Sequence, residues 1–516
     1  MNYTDLFRVT LPETALEVAA LLVLLVDLGL LRNAAVKVRA AVAALLGVVG
    51  CGVGLVLVLQ QGTGGLSFES THELLLATGG FTAVAQAGVL VLTALTLLLV
   101  IDTDFTRHVG EFVAVILMAA AGGLLISGAQ DLLVIFVGLE LLSLGLYILT
   151  AFAKSSGRSA EAAMKYYLFG GMSAAFLLFG FSYLYGLTGS TNLHEILLGL
   201  YGPHAAQTAP LLYVAIVMIA AGLGFKVAAV PFHLWAPDAY EGAPAPAAAF
   251  IASVSKVASF ALLISIGTAA LHVLDGGHGA MRVLLTQGNT APQPNYLGFN
   301  IPWSFVLTVF AAASMLLGNL AALAQTSVRR LLAYSAIAHA GYVLLGLAFF
   351  SYSPRSAGAI LYYVLTYGLT TIGAFGVIGV VERATGSDKL DAFLGLHKRS
   401  PLLAAVLLVL FLSLAGIPPL VGFWAKFNLF AAVLSVSNDA ICMGLVALAV
   451  AMSAVSLYYY LQVLKRAYVQ PAVDETPIKV HPVSLIVLLA IAAAVVLLGV
   501  FPAVLQGWIA GFYPAM

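Results

Sequence analysis

The chain has 516 residues, of which 62% are hydrophobic and 9% charged, with 22 Lys+Arg balanced by 22 Asp+Glu. A soluble surface carries about a quarter charged residues, so most of this surface faces lipid. Zero net charge without a basic run excludes a nucleic-acid footprint, and two isolated cysteines, Cys51 and Cys442, with no CxxC pair or clustered histidines, exclude zinc, iron–sulfur and c-type haem sites.

The opening stretch MNYTDLFRVTLPETALEV lacks a basic n-region and a small-residue cleavage site before its apolar run, so the first span is expected to be an uncleaved membrane helix. A bilayer core needs roughly 20 apolar residues per helix. Runs between polar or Pro/Gly-rich breaks predict fourteen spans: 11–31, 41–60, 81–101, 109–127, 131–152, 162–187, 210–235, 246–272, 303–325, 331–350, 357–381, 402–431, 440–464 and 482–505. The longest polar interruptions, around 188–209, 273–302, 383–400 and 465–481, leave no room for a soluble domain. No GxxxxGK[ST] loop occurs, and Gly50, Gly52 and Gly54, like Gly222 and Gly224, read as small residues for close helix packing. No nucleotide or flavin site is expected.

Basic residues give the orientation. Connections after odd-numbered spans hold fifteen: Arg32, Lys37, Arg39, Arg107, Lys154, Arg158, Arg329, Arg330, Arg383, Lys389, Lys398, Arg399, Lys465, Arg466 and Lys479. The other side, including both termini, holds Arg8, Arg282 and Arg355. Both termini are therefore expected to face outward, away from the cytoplasm. A miscount by one span would have swapped the sides of every later loop and erased the asymmetry.

Four lysines remain inside spans: Lys165, Lys226, Lys256 and Lys426, and Glu140 is the one acid read as lying well inside. Each charge at the centre of an inserting helix costs about 2.5–3.5 kcal/mol, which marks it as functional by default. Glu140 and Lys256 fall about halfway along spans five and eight, near the midplane. Lys165 begins only a few residues into span six, where snorkelling to the surface competes with a place in a buried path.

Lys226 stands beside Pro231 in GLGFKVAAVPFHLWAPDAYEGAPAP, and Lys426 follows Gly416, Pro418 and Pro419 in LSLAGIPPLVGFWAKFNLF. Proline removes a backbone hydrogen bond and clashes with the preceding turn, so spans seven and twelve are expected to be broken. Such backbone survives in a bilayer only when buried in protein or lining a watery cavity. Five spans separate the two breaks, each with Lys and Trp (Trp235, Trp424) nearby, and an odd offset reverses direction across the membrane. This predicts an all-α integral membrane fold of about 14 transmembrane helices with two inverted five-helix repeats, each containing a broken helix. The expected organisation is a three-helix segment over 1–108, repeats over 109–272 (spans four to eight) and 303–468 (spans nine to thirteen), and a C-terminal span within 482–516. His233 beyond the first break and His339 in span ten fit the same axis. Tyr458 to Tyr460 and Tyr362 to Tyr363 read as core or interface aromatics, and Asp238 and Glu241 as solvated loop acids or the lining of an entrance.

Burial pushes a lysine towards deprotonation and a nearby carboxylate reverses this. Charges 4 Å apart at an effective dielectric of about 20 interact by roughly 4 kcal/mol. Moving one charge against about 150 mV takes roughly 3.5 kcal/mol. A Lys–Glu pair that can be made and broken is thus large enough to drive a proton across an energised membrane, but the chain carries no energy source of its own.

The segments EAAMKYYLFGGMSAAFLLFG, GFKVAAVPFHLWAPDAYEGAPAPAAAFIASVSKVASF, SVRRLLAYSAIAHAGY and GIPPLVGFWAKF resemble the antiporter-like subunit N family of proton-pumping NADH:quinone oxidoreductase, respiratory complex I. They cover spans six to twelve in order. The stretch WAPDAYEGAP favours N over the paralogues L and M, Lys426 fits N and L where M carries glutamate, and an end near span fourteen argues against L with its long lateral helix. The resemblance implies that Glu140 and Lys226 form a coupling ion pair and that Lys256 is the central relay. It further implies that His233 and Lys165 belong to the hydrated path and that Lys426 stands on the release side. It implies a multi-pass chain of the cell inner (plasma) membrane whose partners are the other complex I membrane subunits, including the paralogous ones. NADH, FMN, iron–sulfur clusters and quinone would belong to partner subunits, with no cofactor or redox site on this chain. Two other functions share these features: a subunit of a multisubunit Na⁺(K⁺)/H⁺ antiporter, and a non-pumping scaffold in which the charges are static.

Overall fold

A computed structural model describes residues 3–63, 75–200, 205–269, 300–350, 355–436, 439–472 and 474–512. The described residues form helices and isolated β-bridges. In chain order the helices are α1 (Tyr3–Val9), α2 (Leu11–Leu25, continued by a π-turn over Val26–Leu30), α3 (Val36–Thr63), α4 (Gly80–Val100), α5 (Val109–Gly128), α6 (Leu132–Thr150), α7 (Gly157–Thr188) and α8 (Leu193–Leu200). Next come α9 (Ala205–Val227), α10 (Trp235–Gly242), α11 (Ala245–Ala252), α12 (254–269), α13 (Asn300–Leu323), α14 (Val328–Ala348), α15 (Arg355–Thr385) and α16 (Leu396–Arg399). The last are α17 (Pro401–Ala415), α18 (Val421–Leu434), α19 (Ala440–Tyr468), α20 (Pro482–Val500) and α21 (Pro502–Phe512).

Twelve described segments are long and apolar enough to cross a membrane by themselves. With α2 and its π-turn as span one and the α17–α18 pair as span twelve, the fourteen predicted spans are all present. Asp131, Ser156, Ser327 and Asp439 cap α6, α7, α14 and α19, each accepting a backbone N–H that would otherwise be orphaned at a helix start.

Contacts between loops sort by parity. Arg330 pairs with Asp238 at 2.7 Å and Glu241 at 2.9 Å, which joins the stretches after spans seven and nine, and Lys165, near the start of span six, pairs with Asp238 at 2.9 Å on the same side. Arg383 pairs with Asp102 at 2.5 Å, and the Ser484 hydroxyl donates to Asp102 at 3.2 Å, adding those after spans three, eleven and thirteen. Opposite, Leu76 bridges to Ala129 and Asp131 to Asn192, joining the connections after spans two, four and six. Odd connections meet odd and even meet even, which is the folded counterpart of the fifteen-to-three charge asymmetry.

The interior departs from the predicted spans in three places. Span seven stops at Val227, runs irregularly through 228–234 and resumes as α10 to Gly242, beyond the predicted end at 235. Span eight is interrupted at Ser253 (φ −116°, ψ −75°), a kink without Pro or Gly to announce it. Span one adds two acids that are buried where Glu140 is half-buried: Glu13, whose Oε2 has no partner, and Asp27, which the Arg39 guanidinium grips at 2.7 and 2.5 Å. Arg282 and the predicted end of span eight at 270–272 lie outside the described residues.

The segment α11–α12, carrying Lys256, is buried along its whole length, and α14 nearly so, whereas most residues of α7 and α19 are half-buried or exposed. Lys256 and His339 thus sit on the two most enclosed of these described spans. In a bilayer this is where charge can be solvated by protein instead of lipid.

Candidate functional site, a buried lysine and histidine axis

Both broken helices end in the same hydrogen-bond pattern. At α9 the Ala229 N–H bonds Gly224 O and the Ala228 N–H bonds Phe225 O; at α17 the Ile417 N–H bonds Leu412 O and the Gly416 N–H bonds Ser413 O. These are Schellman ends, which place one residue in the left-handed region, normally a glycine. Gly416 (φ 88°) obeys that rule and Ala228 (φ 58°) fills the equivalent position without it. The loosened backbone is satisfied locally: the Val230 N–H donates to Ser314 Oγ at 2.9 Å, and the Gly422 N–H to Ser413 Oγ at 3.2 Å. The two tryptophans anchor the second halves, with Trp235 Nε1 donating to Phe225 O at 2.9 Å and Trp424 Nε1 to Gly499 O at 2.8 Å.

A lysine sits on the carboxyl end of each first half. Lys256 Nζ donates to Val227 O at 2.8 Å, the last residue of α9, and to Ala336 O of α14 at 3.2 Å. Lys426 Nζ donates to Leu414 O at 3.1 Å and Ala415 O at 2.9 Å, the end of α17, and to Ser453 Oγ at 2.8 Å. Orphan carbonyls and the negative end of the helix dipole replace water around each ammonium. No carboxylate pairs with either lysine among the described residues.

Lys226 is the penultimate residue of α9, 7% exposed, and its Nζ donates to Ser143 Oγ. Ser143 lies on α6 one turn beyond Glu140. Glu140 is half-buried and its charge reaches Lys226, but the structure contains no Glu140–Lys226 ion pair; the serine stands where the resemblance implied the carboxylate. His233 lies buried in the irregular stretch after the break, its Nδ1 without a partner.

His339 on α14 is within electrostatic reach of both Lys256 and Lys426. The hydroxyl of Tyr363 on α15 lies 2.7 Å from its Nδ1 and that of Tyr460 on α19 lies 3.4 Å from its Nε2. Tyr460 also bonds Ser335 Oγ. A cavity of about 10 Å³ lined by His339, Tyr363, Thr366, Thr370 and Ser413 separates the imidazole from the α17 break, a space of roughly one water. The two tyrosines read from sequence as plain core are therefore polar members of the site.

Lys165 belongs elsewhere. Its side chain is 41% exposed and pairs with Glu161 at 2.7 Å and Asp238 at 2.9 Å, at the rim of a 360 Å³ polar cavity that Arg158, Glu241 and Arg330 also line. Helix length allows this: α7 has 32 residues where a bilayer core needs roughly 20, and Lys165 lies in its first third. In the same cluster burial pushes the Asp238 carboxyl up, but Lys165 and Arg330 outweigh it and hold the carboxyl below its usual range. Between cavity and axis, Tyr166 stacks on Trp235 with centroids 4.1 Å apart and planes parallel within 1°.

Residues 129–275 and 288–453 match the family described as NADH:quinone oxidoreductase/Mrp antiporter, TM. The chain is 49% identical to NADH-quinone oxidoreductase subunit N 2 of Acidobacterium capsulatum, with 99% of each covered. The chain belongs to the subunit N family of NADH-quinone oxidoreductase. Another member of that family, subunit N 1 of Roseiflexus castenholzii, is 40% identical over 84% of this chain and 79% of its own. A chain of respiratory complex I from Thermus thermophilus with bound Aureothin is 32% identical, with TM-score 0.75 over 96% of this chain and 99% of that one. A chain of the Mrp complex from Dietzia has the same fold, at 22% identity and TM-score 0.74 over 97% and 98%. The antiporter and oxidoreductase branches thus share the architecture, and it is sequence similarity along the full length that places this chain in the N branch.

Proposed function

We propose that this chain is a proton-translocating membrane subunit of a proton-pumping NADH:quinone oxidoreductase, driven by quinone reduction in partner subunits. The observation that carries this reading is the row of enclosed proton-binding groups at and beside the helix breaks: Lys226 on the end of α9, Lys256 on the carbonyl beside it, His339 one turn beyond Ala336, and Lys426 on the end of α17. Neutral carbonyls and hydroxyls solvate these ammoniums without neutralising them, so each group can lose its proton at less cost than a lysine locked to a carboxylate. Glu140 would act on Lys226 by moving towards it, displacing Ser143 as partner. The matching Schellman ends of α9 and α17 support inverted repeats over 109–272 and 303–468, with 1–108 and 482–516 flanking them.

The fuller assignment is translocase activity in the cell inner membrane, with both termini outward and the other membrane subunits of complex I as partners. NADH, FMN, iron–sulfur clusters and quinone would be handled elsewhere in the assembly. No group of three metal-ligating side chains occurs among the described residues. The test is Lys226→Ala or Glu140→Gln in the complete complex in membrane vesicles. Coupled quinone reduction and pumping should fall at unchanged assembly; unchanged pumping would remove the role. Ion-dependent proton exchange without NADH or quinone would favour an antiporter instead.

A further inference from the structure

His339 is 5% exposed, and both of its ring nitrogens face phenols: Tyr363 at 2.7 Å from Nδ1 and Tyr460 at 3.4 Å from Nε2. The choice of partner decides what the ring can do. A buried imidazole held by two backbone carbonyls would be fixed as a double donor, and one held by two N–H groups as a double acceptor. A phenol O–H both donates and accepts. Two phenols can therefore satisfy a neutral imidazole in either tautomer, one donating and one accepting, and can satisfy an imidazolium by both accepting. Only the hydroxyl hydrogens need to turn. Leaving a buried polar group unpaired is costly, and more so for a charged one, so a clamp that suits every protonation state removes that penalty from the proton cycle.

Beyond the two phenols, the ring faces cations, further aromatic rings and the hydroxyl-lined cavity of Thr366, Thr370 and Ser413. Lys256 comes from α12 and Lys426 from α18, with Tyr342 on α14 and Tyr367 on α15 beside the imidazole at 5.7 and 4.8 Å between centroids. Of the four rings near His339, Tyr363 and Tyr460 are the two that bond it. The clamp comes from three helices, α14, α15 and α19, and Tyr460 is itself held by Ser335.

We propose that Tyr363 and Tyr460 are positioning residues that hold His339, one phenol per ring nitrogen, as a proton-exchanging station between Lys256 and Lys426. Uptake forms an imidazole N–H bond as a lysine ammonium N–H bond breaks; release reverses this towards the other lysine. Each phenol ends every exchange with its O–H restored, and no electrons are transferred. This rests on the proton-path function above.

The test uses Tyr363→Phe and Tyr460→Phe in the complete complex, reconstituted in vesicles, with Lys256→Ala as reference. Each Phe variant should pump at least about tenfold more slowly, the consequence of losing one hydrogen bond to a charged ring, and should displace the pH profile of pumping. A merely structural tyrosine would leave that profile in place. His339→Gln adds a second arm: the amide offers both phenols a donor and an acceptor but takes up no proton, so an assembled Gln variant should pump no better than the Phe variants, and this arm decides if those fail to assemble. Wild-type rates and pH profile in the assembled Phe variants, or wild-type pumping by His339→Gln, alongside a Lys256→Ala complex that does not pump, overturns the inference alone. Normal pumping by Lys256→Ala overturns the underlying function instead.

Discussion

Gly416 offers a way to disturb Lys426 without altering its chemistry. Its φ of 88° is a backbone state that an L side chain occupies at a cost of roughly 1–2 kcal/mol. A Cβ added there would lie 2.9 Å from Lys426 Cδ and 3.2 Å from Nζ, so the lysine must move. It cannot move freely, because the ammonium is held by Leu414 O, Ala415 O and Ser453 Oγ at 2.8–3.1 Å. Giving up one such charge-assisted bond costs about 1.5–3 kcal/mol. Gly416→Ala should therefore carry roughly 2.5–5 kcal/mol of strain and lost bonding, concentrated at one proton site, where about 1.4 kcal/mol already means a tenfold change in rate. The assay is NADH-driven acidification of inverted vesicles, normalised to assembled complex and to electron transfer into an artificial acceptor; pumping should fall at least about tenfold. The counterpart is Ala228→Gly, which relieves the same left-handed strain (φ 58°) at the other break, less about 0.5–1 kcal/mol for the added chain entropy of glycine. It should leave assembly and pumping intact. Wild-type pumping and thermal stability in Gly416→Ala would refute the idea that the seat of Lys426 is sterically and electrostatically set by this turn.

Two further expectations follow from the periphery. The Asp238 carboxyl is lowered in the folded protein, so the stability its cluster contributes is complete above the ordinary carboxylate pKa of about 4 and is lost as pH falls through the lowered value. Asp238→Asn should remove that acid-side loss in a pH series of thermal melts; an identical acid limb in the variant would disprove it. Asp27→Asn should lower the melting temperature and membrane abundance of the complex, because it leaves the part-buried Arg39 without its charged 2.5 Å partner at a cost of roughly 1.5–3 kcal/mol. Replacing both residues with apolar ones of similar size should recover most of the loss, and an unchanged melt for the single variant would refute the pin.

The axis was partly legible because charge in lipid is anomalous. Lys226, Lys256 and Lys426 stood out as cations in apolar runs, and Pro231, Pro418 and Pro419 announced the breaks that receive them. Tyr363 and Tyr460 did not, since a tyrosine in a buried helix is ordinary and its hydroxyl acquires meaning only when a partner is found. That partner is 24 residues away in one case and 121 in the other. The kink at Ser253 was hidden for a similar reason: it has no local breaker and shows only in the packed backbone. For Lys165 the sequence left surface and path open, because hydropathy marks where a run is apolar and not where a 32-residue helix leaves the bilayer.

The sequence by itself determined the membrane class, the fourteen spans, the parity of their connections and the positions of the two breaks. Each of these depends on composition or on local rules of hydropathy, charge and proline stereochemistry that act within about one span. Tertiary structure decided which groups solvate the buried charges: Ser143 on Lys226, the carbonyl ends of α9 and α17 on Lys256 and Lys426, and two phenols on His339. Hydrogen bonds reach only about 3 Å, so which donor meets which acceptor is fixed by how helices from distant parts of the chain pack together.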